Sequence, residues 1–139
     1  MDYDHDAHSK YLLMYHMMFV CKYRKQLLST FGDEIKSIFT TIAEKSEFSN
    51  LEMELDKDHI HILVKSVPKI STLQIVRRLK QISTHQIWKS HPFELQRQFW
   101  KEHTFWSDGY FVCSIVMLAV KRWKSTFNRK AKIVIHPRN

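Results

Sequence analysis

Two kinds of apolar spacing alternate along this chain, and their order limits its fold more than any other feature. Lys10 to Tyr23 is rich in aromatic and apolar residues and carries no helix cap, which predicts a long strand. From Lys25 to Lys45 the residues Leu27, Leu28, Phe31, Ile35, Ile38, Phe39 and Ile42 recur at helical spacing, with one face inward. Leu51 to Leu55 alternates apolar and acidic residues, and His59 to Val64 alternates again after the turn-forming Asp56-Lys57-Asp58. Ser71 or Thr72 is placed to cap a second helix reaching about Lys89, with Leu73, Val76, Leu79, Ile82, Ile87 and Trp88 as its apolar positions and Pro92 ending it. Residues 93–108 read as a loop or short helix, and Tyr110 to Ile115 as a strand after Gly109. Trp88, Trp100 and Trp106 read as core more readily than as base-stacking platforms. The order is β-α-β-β-α-β. It predicts an α+β fold: a ferredoxin-like split β-α-β antiparallel sheet with helices on one face, the other face left free.

Composition then narrows the function. The 139 residues suffice for one domain, and 44% hydrophobic content suffices for its core. Only two glycines occur, Gly32 and Gly109. A dinucleotide fingerprint needs three close together and a P-loop needs two, five residues apart, so neither kind of nucleotide enzyme is available. Cys21 and Cys113 are too few for a four-cysteine zinc site or a disulfide framework, which suits a reducing, cytoplasmic setting. The acidic N-terminal residues do not read as a secretory signal. The longest nearly apolar run, Tyr11 to Cys21, is broken by His16 and is too short to span a bilayer, so no membrane partner is expected. The net charge of +8 is unevenly spread. Residues 1–69 hold nine basic against eleven acidic residues, and residues 70–139 hold thirteen against three. Seven of those thirteen fall in 121–139, with no acid among them. A basic chain points to nucleic acid, yet without that last stretch it is almost neutral.

The sharpest local feature is His59-Ile60-His61. Alternate side chains of a strand share a face, so the two imidazoles stand side by side, their backbones about 6.6 Å apart, and can converge on one cation. Glu52, Glu54, Asp56 and Asp58 lie close in sequence. Two surface histidines on a strand would look the same, and imidazole suits several metals. Lys22, Tyr23, Arg24 and Lys25 at the end of the first strand suit phosphate contact with base stacking, or equally a solvated strand end. Arg77, Arg78 and Lys80 on the second helix form either a face for DNA or an ordinary solvent-facing stripe.

In order, these pieces are a strand, Lys-Tyr-Arg-Lys, a helix, an acidic strand, Asp-Lys-Asp-His-Ile-His-Ile-Leu-Val, a helix with Leu-Lys-x-x-Ser, and Phe-Trp-Ser-Asp-Gly-Tyr-Phe-Val. The set resembles the HUH single-tyrosine transposases of the insertion-sequence 200/605 group, from about Ser9 to Ile115. The resemblance implies small homodimers with a ferredoxin-like core that excise and insert single-stranded DNA with hairpin ends. It implies that two histidines, matched by His59 and His61, hold Mg²⁺ or Mn²⁺. It implies a tyrosine on a C-terminal helix that attacks the scissile phosphate, leaving a 5′-phosphotyrosine and a free 3′-hydroxyl, and a further ligand glutamine four residues on.

The match stops after Ser114-Ile115. Glycine, an acidic helix start, and tyrosine and glutamine four apart should follow, but no tyrosine occurs after Tyr110, and no catalytic residue is assigned. Tyr3, Tyr11, Tyr15 and Tyr23 all precede the histidine pair. The genetic code permits a cause. Restoring one G before the Val116 codon opens a frame that allows Gly-Asp-Ala-Ser-x-Glu-Thr-Met-Glu-Lys-Tyr-Ile-Gln-Ser-Gln-Gly-stop. Its tyrosine codon straddles Ser125 and Thr126, and the glutamine codon four later straddles Arg129 and Lys130. The expected organisation is an arm over 1–9, the transposase domain over 10–115 and a divergent, frameshifted tail over 116–139. In that tail Val116 to Phe127 suits a helix and Lys132 to His136 an extended piece. The chain as written is expected to bind metal and DNA without cutting. A ferredoxin-like RNA-binding module without catalysis is the competing reading; it requires exposed aromatics on central strands and no metal.

Overall fold

The computed structural model describes residues 11–118 and 128–136. Among them lie strands β1 (Tyr11–Val20), β2 (Ser49–Leu55), β3 (His59–Lys65), β4 (Tyr110–Leu118) and β5 (Asn128–His136), and helices α1 (Leu28–Glu44), α2 (Thr72–Ser90) and α3 (Pro92–Phe99). The strands form one sheet in the order β2-β3-β1-β4-β5, every neighbouring pair antiparallel. The first four reproduce the expected split β-α-β arrangement, so the α+β reading holds.

Alternation sets the two faces of the sheet. Ile60, Ile62 and Val64 of β3 and Met17 and Phe19 of β1 are fully buried on one face. Against them α1 sets Leu28, Phe31, Ile35, Ile38, Phe39 and Ile42, and α2 sets Ile75, Val76, Leu79 and Ile87. Gly32 lets α1 come close to β2, since a Cβ there would fall 2.8 Å from Leu55 Cδ1. At the start of α2, Ser71 Oγ accepts from Gln74 N while the Gln74 side chain accepts from Ser71 N, a reciprocal cap that fixes the helix start. No described helix is long and apolar enough to cross a membrane.

His91 joins α2 to α3 and also reaches α1. Its Nε2 lies 2.6 Å from Glu34 Oε1 and its Nδ1 2.9 Å from Glu94 Oε1. The Glu34 hydrogen bond above all, then Glu94, raise its pKa above the ordinary 6.5. A raised folded-state pKa means the charged form is the stabilised one. The contribution is therefore complete below pH 6.5 and is lost as pH rises through the folded value. The urea midpoint of the wild type is expected to exceed that of His91→Gln at pH 6, with the gap closing by pH 9. A gap independent of pH would contradict this.

Several expectations need correction. β1 ends at Val20 and not at Tyr23, because its partner β3 begins opposite Val20 and the next amides are taken elsewhere: Cys21 N by Asp58 O and Lys22 N by Phe105 O, both at 2.8 Å. Lys22–Arg24 form a 3₁₀ turn, with Tyr23 (φ 59°) and Arg24 (φ 55°) in the left-handed region. Trp88 and Trp106 are core, their indoles donating to Thr104 O and Ser83 Oγ. Trp100 instead is 76% exposed, because the left-handed residue that ends α3 turns it outward. Val116 to Leu118 continue β4 and do not start a helix; the rest of that expected helix, and the 1–9 arm, lie outside the described residues. The extended piece at Lys132–His136 grows into β5, paired along β4 from Tyr110 to Leu118. The β-branched run Ile133-Val134-Ile135 favours a strand, and β4 otherwise offers an open edge.

Candidate metal and nucleic-acid site

The face away from the helices carries the chemistry. His59 and His61 project from it side by side, ring centroids 5.1 Å apart and planes at 79°. Both rings are half-buried, and each is held through Nδ1. His59 Nδ1 lies 2.8 Å from Asp58 Oδ1, and Asp58 Oδ2 accepts from Arg24 Nε at 3.1 Å. The hydrogen bond from His59, and then Arg24, hold the Asp58 carboxyl below its usual range. Asp58 is thus an anion that can only accept, so His59 Nδ1 donates, and Nε2 is the nitrogen left facing outward, 3.8 Å from Asp56 Oδ2. The second ring, His61, sets its Nδ1 3.2 Å from Nε2 of His16 on β1. Burial first, then the neighbouring His16 and His59, push the His61 pKa down. The ring is neutral at neutral pH, as a ligand must be.

This donor set fits a divalent cation. Two imidazoles stand beside Asp56, with Glu54 directly across from His61 on β2. Imidazole and carboxylate donors together suit several divalent ions. Among the described residues no three His, Cys, Asp or Glu side chains are arranged to hold an ion unaided.

No attacking phenol accompanies it among the described side chains. Tyr15 and Tyr110 lie on the core face, and burial raises the Tyr15 pKa. Tyr23 is exposed but gives its hydroxyl to Glu102 Oε1 at 2.7 Å, which holds the proton more tightly. The Cys21 thiol, buried, is pushed up to about 12 and is inert.

The basic residues separate into two groups. Lys22, Tyr23, Arg24 and Lys25 sit on the turn bonded to the start of β3, so Arg24-Asp58-His59 is one continuous chain. Lys22 pairs with Asp108 at 3.6 Å, and Lys25 lies over the Phe99 ring. Arg77, Arg78 and Lys80 are on α2, across the sheet from the histidines. Arg77 and Arg78 are exposed, the latter bonded to Ser46 Oγ. Lys80 turns inward: its ammonium donates to Ser107 O at 2.6 Å and also reaches the carbonyls of Asp108 and Gly109, and burial lowers its pKa to about 8. Sequence reasoning missed the roles of Asp58 and His16. The signals were an acid immediately before the pair and a lone polar residue inside an apolar strand.

A sequence profile described as "Transposase IS200 like" matches residues 9–125. The chain belongs to this family. The match runs ten residues beyond the Ile115 limit read from the motifs. Among curated IS200-like relatives, the ISDra2 transposase TnpA of Deinococcus radiodurans is 34% identical over 71 residues, covering 50% of this chain and 51% of the relative. The transposase for insertion sequence element IS200 of Salmonella typhimurium is 32% identical over 77 residues, covering 53% and 49%. The chain thus spans about half the length of the curated relatives it matches. A solved structure of a chain assigned as a transposase of Deinococcus radiodurans R1 superimposes with TM-score 0.70 at 26% identity, covering 81% of this chain and 84% of that one. The structure of the REP-associated tyrosine transposase bound to a REP hairpin shares the fold alone: TM-score 0.50, 13% identity, covering 95% of this chain and 62% of that one.

Proposed function

We propose that this IS200-like chain holds Mg²⁺ or Mn²⁺ through His59 and His61, binds single-stranded DNA with hairpin ends, and does not cut it. The observation that carries the reading is the paired imidazoles, with His59 Nδ1 held by Asp58 so that Nε2 faces outward. In a cleaving relative such an ion would polarise the scissile phosphate and neutralise charge growing on its oxygens while a tyrosine attacked, conserving the phosphodiester for rejoining. Here the histidines bind, Asp58 and Arg24 orient, and among the described side chains no phenol is free beside the pair. We assign 10–115 as the HUH domain, 1–9 as an arm and 116–139 as a divergent tail from a shifted frame, in a cytoplasmic homodimer. The REP hairpin bound by the REP-associated tyrosine transposase supports the DNA partner.

DNA contact is assigned to the turn at Lys22, Tyr23, Arg24 and Lys25 and to Arg77 and Arg78, with Lys80 placing the 107–109 carbonyls beside them. The test is binding of a labelled hairpin oligonucleotide against an unstructured strand of equal length across a salt series. The hairpin is expected to bind more tightly. Lys22→Gln with Lys25→Gln, and separately Arg77→Gln with Arg78→Gln, should each flatten the log–log salt slope by about 0.7 per lost phosphate contact. Equal affinity for both strands, or slopes unchanged in both double variants, would refute the DNA reading.

A further inference from the structure

The open face holds a third imidazole outside the histidine pair. His16 lies in β1 opposite Leu63 of β3 and Cys113 of β4, so it sits diagonally across from His61, whose direct neighbour is Met18. The two rings are nearly parallel, at 11°, with centroids 5.0 Å apart and His61 Nδ1 3.2 Å from His16 Nε2. They therefore meet through their nitrogen-bearing edges. One nitrogen must donate and the other accept.

The direction of that bond decides what His61 can do. If His16 donates, the His61 proton sits on Nε2, the only nitrogen left to face an ion, and the ring cannot ligate. If His61 Nδ1 donates, its Nε2 carries a bare lone pair. His59 already shows the second arrangement, with the Asp58 carboxylate as compulsory acceptor. We infer that His16 is the acceptor for His61 Nδ1–H, a positioning residue that fixes the His61 tautomer and ring angle for a divalent cation. It does for His61 what Asp58 does for His59, with an imidazole nitrogen where a carboxylate stands in the other arm. Partners of this kind set the ligand nitrogen of metal-binding histidines. The inference rests on the metal reading above and adds His16 to it.

Two measurements on the full chain test it. Long-range ¹H–¹⁵N imidazole spectra at neutral pH, without metal, should show His61 protonated on Nδ1 and bare on Nε2; the opposite tautomer would overturn the inference whatever the variants do. Calorimetric titration with Mn²⁺ should show His16→Phe, which keeps a ring but no acceptor, weakened by about 10–100-fold. His16→Gln, which returns an acceptor near the position of Nε2, should recover most of that loss. Unchanged affinity in His16→Phe, or His16→Gln as weak as His16→Phe, would remove the positioning role while leaving the metal reading intact. A wild-type chain that takes up no Mn²⁺ would remove both.

Discussion

Replacing His59 and His61 together by alanine is expected to lower Mn²⁺ affinity by more than about 100-fold, beyond the 10–100-fold that loss of a supporting partner costs. Both protein nitrogens of the site disappear at once, and the carboxylates left behind, Asp56 and Glu54, are exposed and hydrated. Folding should survive. The strand is anchored by Ile60, Ile62 and Val64, all fully buried on the opposite face, and none of them changes. The urea-derived stability is expected to stay within about 1 kcal/mol, as for other substitutions away from the core. A double variant that binds Mn²⁺ like the wild type would place the ion elsewhere.

Incubation with hairpin-bearing single-stranded DNA and Mn²⁺ is expected to yield no covalent protein–DNA adduct on a denaturing gel. A phosphotyrosine bond needs an attacking oxygen, and no tyrosine follows Tyr110 in the sequence. The described phenols either face the core or, at Tyr23, give the hydroxyl to Glu102. A tyrosine is also a poor nucleophile at neutral pH unless an ion and a phosphate lie beside it. The chain with one G restored before the Val116 codon should form the adduct, since its new tyrosine and glutamine fall four residues apart. The gene itself offers a second check: the codons for Ala131 and Lys132 must contain TAA out of frame. An adduct from the chain as it stands, or codons without that TAA, would contradict the shifted-frame account.

Local periodicity was enough to read the layer structure and the histidine pair. The strict alternation of His59-Ile60-His61-Ile62 fixes which residues face the core, and Ser71 with Gln74 marks the start of α2. What escaped depended on partners distant in sequence. The end of β1 is set by where β3 and the Phe105 carbonyl lie, which no local pattern encodes. Trp100 looks like core by residue type and is exposed by one left-handed backbone angle. The role of Asp58 needed the turn that brings Arg24 to it, and that of His16 needed the register of β1 against β3. β5 pairs with Tyr110–Ile115 through Ala131–His136, and only its first three residues, Asn128–Lys130, needed β4 to run past Ile115.

The most direct test of the central claim is pulsed electron paramagnetic resonance of Mn²⁺ bound to the chain with ¹⁵N-labelled histidine. Two strongly coupled imidazole nitrogens are expected, falling to one in either His59→Ala or His61→Ala. A spectrum with no directly coupled histidine nitrogen, the ion held by water and carboxylates alone, would contradict the account.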